Sequence, residues 1–131
     1  MIGLDTNVIV RYLTRDDPGQ AAAAVRVLDS LTHDEPGFLS LVVILELVWV
    51  LESFYQAKKN ELEDVLEVLL SNDHLIVERS EVVWQALRTF SKSRADFSDC
   101  MIERCAHAAN CQYTVTFDRK AATVVGMRFL R

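Results

Sequence analysis

Residues 1–13 read Met1-Ile2-Gly3-Leu4-Asp5-Thr6-Asn7-Val8-Ile9-Val10-Arg11-Tyr12-Leu13, an apolar run that stops at an acid and resumes with a different period. Met1 to Leu4 predicts a buried strand with Asp5 at its carboxyl end. Val8, Ile9, Tyr12 and Leu13 recur at helical spacing, so a helix is expected to follow directly. A strand feeding a helix through an acid opens a parallel crossover unit, and in such folds ligands collect beyond the carboxyl ends of the strands.

The rest of the chain repeats that alternation. Asp17-Pro18-Gly19 predicts a turn before an alanine-rich helix over Gln20 to Leu31. Gly37 to Leu41 reads as a second strand and Leu41 to Tyr55 as a mostly apolar helix. Asn60 to Leu70 reads as an amphipathic helix with Leu62, Val65, Leu66, Leu69 and Leu70 on its stripe. A third strand is expected at Leu75 to Glu78, then helices at Glu81 to Ser91 and Phe97 to Ala109. Gln112 to Phe117 is β-branched and aromatic enough for a fourth strand. A short helical segment over Arg119 to Val124 and a last strand at Met127 to Leu130 complete the pattern. The fold class expected is α/β, a central parallel sheet covered on both faces by helices. No repeat or linker divides the sequence, so residues 1–131 are expected to form a single domain.

Half of the 131 residues are hydrophobic, enough for one packed core without staples. Cys100, Cys105 and Cys111 show no Cys-x-x-Cys spacing and read as reduced core residues of a cytosolic protein. A zinc site from Cys105, His107 and Cys111 matches no standard spacing. No secretory leader is visible, and Phe38 to Leu51 falls short of the roughly 20 residues a membrane span needs. The expected location is therefore cytoplasmic, away from any membrane. The net charge of −5 argues against a generally basic nucleic-acid surface but leaves room for a local basic patch.

Four carboxylates interrupt or end apolar segments: Asp5, Glu46 in Val-Ile-Leu-Glu-Leu-Val, Asp99 in Asp-Phe-Ser-Asp-Cys-Met-Ile, and Asp118 in Val-Thr-Phe-Asp-Arg-Lys. An isolated carboxylate taken out of water costs several kcal/mol, so such groups are protonated, paired with a base or bound to a cation. Each has a structural alternative. Asp5 can cap the helix after it, Glu46 can pair with a distant arginine, and Asp118 can be a turn residue. Asp99 shares a helical line with Ile102, Ala106 and Ala109, expected to be the buried side. Asp96 fits the N-cap with Asp99 near N3, an acidic version of the capping box, so cap and metal-site readings both stay open for it.

Only four glycines are present, and they form neither a phosphate-cradling loop nor a Gly-x-Ser-x-Gly turn. Metal chemistry is what remains: oxygen ligands suit Mg2+ or Mn2+, which activate water and neutralise charge developing on a phosphate. Basic residues stand beside the acids: Arg11 and Arg15 after Asp5, Lys92 and Arg94 before Asp96, Arg119 and Lys120 after Asp118. They read either as phosphate contacts or as solvated helix faces.

Taken in order, Ile-Gly-Leu-Asp-Thr-Asn-Val-Ile-Val, Leu-Glu-Leu-Val-Trp-Val-Leu, Ala-Asp-Phe-Ser-Asp-Cys-Met-Ile and Thr-Phe-Asp-Arg-Lys-Ala resemble the PIN domain, in particular the VapC-type toxins of toxin-antitoxin pairs. The resemblance spans essentially the whole chain. It implies a three-layer α/β/α sandwich, a Mg2+- or Mn2+-dependent endoribonuclease, frequent homodimers and inhibition by a cognate antitoxin. By position, Asp5, Glu46, Asp99 and Asp118 match the family's acidic quartet, and Asp96 is an extra acid of the Asp-Phe-x-Asp variant. Thr6 and Asn7 match the residues that follow the first acid, and Thr116 the hydroxyl residue two before the last. Cys100 departs from the usual alanine, and Asp118 occupies the family's most variable acid position.

On this reading Asp5 and Asp99 hold the principal metal, with Glu46 and Asp118 completing the site, and nearby cations steady an RNA phosphodiester. The apolar helix around Trp49 has more hydrophobic surface than one core contact needs, so a second subunit or an antitoxin is expected to cover part of it. Two other functions fit less well. A haloacid-dehalogenase-type phosphatase needs an aspartate at position 7, which is Asn7, and a response-regulator receiver needs an acidic pair after the first strand. A non-catalytic PIN scaffold that only binds RNA or protein is the remaining alternative.

Overall fold

The computed structural model describes every residue from Met1 to Arg131. They group into two compact units, Met1–Glu78 and Arg79–Arg131.

In the first unit three short strands, β1 (Ile2–Gly3), β2 (Gly37–Leu39) and β3 (Leu75–Val77), form a parallel sheet in the order β1-β2-β3. Ile2 pairs with Gly37 and Gly3 with Phe38, while Gly37, Phe38 and Leu39 pair with Leu75, Ile76 and Val77. Gly37 is required at the centre of this register. A Cβ there would come within 2.7 Å of Leu4 Cδ1, 2.9 Å of Leu31 Cδ1 and 3.0 Å of Leu75 Cδ2. The crossovers are α1 (Thr6–Thr14), α2 (Pro18–Ser30), α3 (Leu41–Tyr55) and α4 (Lys59–Ser71).

The helix starts have local causes. Asp17 accepts a hydrogen bond from the Gln20 N–H at 3.0 Å, and Pro18 takes the first helical position. The expected turn at Asp17-Pro18-Gly19 is therefore the cap and first turn of α2. Proline fits there because its missing N–H has no partner at a helix start anyway. Ser40 Oγ accepts from the Val43 N–H at 3.2 Å and opens α3, whose bounds coincide with those read from the sequence. α3 buries Ile44, Leu47, Val48 and Leu51, one helical stripe, and leaves Val42, Trp49 and Phe54 well exposed. α4 buries Leu62, Leu66 and Leu69 from its predicted stripe.

The second unit is built on α5 (Ser80–Lys92) and α6 (Phe97–Ala108). α5 buries Val82, Val83, Ala86, Leu87 and Phe90, and α6 buries Phe97, Cys100 and Met101. Phe90 and Phe97 meet edge to face, with ring centroids 5.7 Å apart. The buried side of α6 is thus not the expected line through Ile102 and Ala109: Ile102 is 53% exposed, and Asp99 is only half-buried. The larger apolar volumes of Phe97 and Met101 decide the orientation, roughly half a turn around the helix from the line through Asp99.

Beyond α6, β4 (Val115–Thr116) and β5 (Arg128–Phe129) pair in parallel, Val115 with Arg128 and Thr116 with Phe129. Both strands are shorter than expected. The segment between them contains one π-helical turn, Ala121–Val125, where the sequence predicts helix over Arg119 to Val124. Gly126, at φ +90°, ends it by donating its N–H to Ala121 O, a conformation natural to glycine. Among the cysteines only Cys100 is buried; Cys105 is half-buried and Cys111 exposed, which corrects the uniform core reading. Cys111 lies past the end of α6, where no apolar stripe continues.

Candidate active site

In the first unit the strand-to-helix step at β1 places Asp5 at the N-cap of α1. Its Oδ1 accepts from the Thr6 N–H at 2.9 Å, so the capping alternative holds for this residue. Only one oxygen is used in that bond. Thr6 is the one buried polar residue of the chain, 3% exposed, and its hydroxyl donates to Glu46 Oε1. Glu46 sits on the exposed stripe of α3 with Val42 and Trp49, at the i, i+4, i+7 spacing of a helix face. No buried side-chain oxygen or nitrogen is left unpartnered.

Asn7 and Arg11 line a groove of about 390 Å3 with Val8, Gln20, Ala23, Ala24 and Val27. Arg11 is engaged by its own unit: Nε donates to Gln20 Oε1 at 2.7 Å, and Nη1 reaches Asp16 Oδ1 at 3.1 Å and Tyr55 Oη at 3.4 Å. The Tyr55 hydroxyl, donating to Asp16 at 2.7 Å, holds that carboxyl below its usual range, helped by Thr14 and Arg11. Sequence reading had no signal for this network, because Asp16 and Tyr55 lie 39 residues apart.

In the second unit three acids share one neighbourhood. Asp96 occupies the N-cap position of α6 but makes no capping hydrogen bond with its side chain; Oδ1 instead takes Lys120 Nζ at 3.4 Å. Of the two readings open for Asp96, the side-chain cap is not the one realised. Asp99 lies in the first turn of the same helix. Its carboxyl is pushed above the usual range, first by burial, then by the charges of Asp96 and Asp118, with Lys120 opposing. Asp118 is held at both ends of its peptide environment. Its N–H donates to Thr116 Oγ1 at 3.0 Å, and its Oδ1 accepts from the Ala121 N–H at 3.0 Å. Thr116 and Asp118 therefore work as a pair that fixes the turn after β4. Lys120, expected as a phosphate contact, is the counter-charge inside this acid group. Arg119 lies instead over the Phe129 ring, its Cζ 4.4 Å from the centroid.

The donor set suits a hard divalent cation in kind: carboxylate oxygens only, with Asp96 and Asp118 adding to the burial that raises Asp99. The side chains are not gathered for one, since no three His, Cys, Asp or Glu groups are arranged to hold a single ion. The residues thus match such an ion in donor chemistry and not in the arrangement of their side chains.

Parallel strands joined by helices, with acids at the ends of β1 and β4, define a class of α/β protein, and sequence comparison gives it a family. The profile described as PIN domain matches residues 2–126, and the chain belongs to that family. Its fold class is accordingly the three-layer α/β/α sandwich with parallel strands. The chain is also similar to the VapC ribonuclease of Aquifex aeolicus (strain VF5), 26% identical over 118 residues, covering 89% of this chain and 87% of that protein.

Proposed function

We propose that this protein is a metal-dependent endoribonuclease that hydrolyses RNA phosphodiester bonds and serves as the toxin of a toxin-antitoxin pair. The observation that carries the reading is the grouping of Asp96, Asp99 and Asp118, where burial first and then the two neighbouring charges raise the Asp99 carboxyl. The likeness to a VapC ribonuclease supports the same chemistry. The proposal takes residues 1–131 as a single nuclease domain and assigns the acid roles to Asp5, Glu46, Asp99 and Asp118.

Asp5, Asp99, Glu46 and Asp118 would hold Mg2+ or Mn2+, with Asp96 as an additional acid. The ion would supply Lewis-acid activation of water and neutralise charge building on the phosphate. The chain's own residues do the positioning. Thr6 fixes one oxygen of Glu46, leaving the other free to ligate. Thr116 sets the backbone that presents Asp118. Lys120 balances Asp96 before an ion arrives and can turn toward substrate phosphate once it has. Asn7 and Arg119 are assigned the orientation of the substrate chain. Arg11 is assigned to the same role, although it would first have to give up Asp16.

Purified protein with RNA and Mg2+ or Mn2+ tests the proposal directly. Cleavage that stops with chelator and is abolished in both Asp5→Asn and Asp99→Asn supports it; Mg2+-dependent cleavage retained in both variants overturns the site assignment.

The open arrangement of the acids favours a second reading, a PIN-fold module that binds RNA or protein without cleaving. Calorimetric titration with Mn2+ separates the two, since the module would take up no ion that Asp99→Asn abolishes. For partners, Val42 at 73%, Trp49 at 58% and Phe54 at 65% exposure on α3 support a surface closed by a second subunit or by an antitoxin. No helix is long and apolar enough to cross a membrane, and a cytoplasmic location is part of the proposal.

A further inference from the structure

The β4–β5 ribbon of the second unit carries aromatic and cationic groups that no part of the acid site uses. Along the chain through β4, Tyr113, Val115 and Phe117 are 48%, 48% and 78% exposed, while Thr114 and Thr116 between them are half-buried. The period of two is that of a strand with one open face. Arg128 lies over the Tyr113 ring, 3.6 Å from its centroid, and Arg119 over the Phe129 ring at 4.4 Å. Phe117, Arg119, Phe129, Leu130 and Arg131 line an open groove of about 550 Å3. None of the chain's ion pairs involves Arg119, Arg128 or Arg131. In a chain of net charge −5 these three guanidinium groups make a cationic ribbon among exposed rings.

Apolar side chains grouped in the open, as Tyr113, Val115 and Phe117 are, mark a surface that binds something. A protein partner would be met by an apolar, charge-depleted centre. Here three guanidinium groups stand beside the rings, and Asp118 is the one acid in the same stretch of chain. Aromatic faces flanked by unpaired arginines are what a single-stranded nucleic acid requires: rings accept the faces of bases, and guanidinium groups meet the phosphates between them. Asp118 lies between Phe117 and Arg119 in the chain, so a base seated here belongs to a nucleotide close to the acid group.

We propose that the groove formed by Phe117, Arg119 and Phe129 is a nucleobase subsite, which stacks one unpaired base of the RNA beside the acid site and contacts its flanking phosphate through Arg119. The inference rests on the ribonuclease reading and deepens it. The subsite admits a base only when that base is unstacked, so it selects single-stranded RNA over duplex. Its preference among bases follows stacking strength, because the groove offers rings and not a set of edge-reading groups.

Fluorescence anisotropy with the full chain in chelator tests this, since binding is then read without cleavage. The probes are a labelled oligouridine and the same chain made abasic throughout. Phe117→Ala should weaken oligouridine binding by about 5- to 150-fold, the usual range for losing one base-stacking contact. Phe117→Trp should bind at least as tightly as the parent. Against the abasic chain, parent and Phe117→Ala should bind alike, whereas Arg119→Ala should weaken both probes.

An unchanged affinity of Phe117→Ala for oligouridine overturns the subsite while leaving the ribonuclease reading intact. So does an equal loss against the abasic chain. Failure of the parent to bind oligouridine in chelator overturns the subsite, and failure to cleave RNA with Mg2+ or Mn2+ overturns the ribonuclease reading. Unchanged RNA affinity combined with loss of a co-purifying protein would assign the ribbon to protein docking instead. The exposure of Phe117 keeps folding out of the result, and equal thermal midpoints for parent and variant check it.

Discussion

The hydroxyl of Thr6 donates to Glu46 Oε1, tying the first turn of α1 to the middle of α3 across forty residues. It is the only polar side chain sealed in the core, and its partner is one of the four acids of the proposed site. A hydrogen bond to a charged group contributes about 1.5–3 kcal/mol, and an isostere without the hydroxyl leaves Glu46 free to rotate. Thr6→Val should therefore lower stability by about 1–2 kcal/mol. It should also slow RNA cleavage by roughly tenfold, whereas Thr6→Ser keeps both. Urea titration and initial rates on one RNA check this; a Thr6→Val protein as active as the parent would remove Thr6 from the site.

Asp99 is expected to be a site where function opposes stability. The folded state holds its carboxyl above the ordinary value, so between the unfolded and folded pKa the folded protein binds the extra proton. That contribution is full below the unfolded value, near pH 3.9, and is lost as pH rises through the folded value. Ionised Asp99 thus destabilises the metal-free protein at pH 7. Asp99→Asn should raise the metal-free melting temperature at pH 7, with the gain shrinking toward zero at about pH 3, while cleavage disappears. Scanning calorimetry at the two pH values decides it, and a lower melting temperature at pH 7 would contradict the cost of burying this charge beside Asp96 and Asp118.

Gly37 carries a steric prediction. Its surroundings leave no room for a methyl group, because Leu4, Leu31 and Leu75 would all lie at 3.0 Å or closer to it. Gly37→Ala should destabilise the protein by about 1–3 kcal/mol through overpacking. Because the clash falls between β1, β2 and β3, amide exchange should speed up in those strands first.

The cysteines are expected to differ in reactivity. Burial, with Asp99 and Asp96 adding negative charge, pushes the Cys100 thiol up to about 11. At pH 8 iodoacetamide should label the exposed Cys111 and spare Cys100, until denaturant opens all three sites. Peptide mass spectrometry reads the order; early labelling of Cys100 would mean that the start of α6 opens readily.

Much of this architecture is legible in the chain because local and tertiary causes agree. α3 runs from Leu41 to Tyr55 as the apolar run after Ser40 requires, and the parallel strands follow from alternation with helices. Asp17-Pro18-Gly19 misleads because the same residues serve a turn and a helix start, and only the Gln20 N–H distinguishes them. The orientation of α6 is hidden for another reason: Asp99, Ile102 and Ala106 make a plausible face, but Phe97 and Met101 bury more surface. Positions of the acids could be marked in advance. Their partners could not, since Thr6 with Glu46 and Lys120 with Asp96 are joined by the fold and not by spacing.

The acids of the proposed site run from Asp5 to Asp118, and each compact unit holds only part of them. On the proposed assignment, a growing polypeptide has no complete set of acids until residue 118 is made, so a fragment that stops short of Asp118 is expected to cleave no RNA.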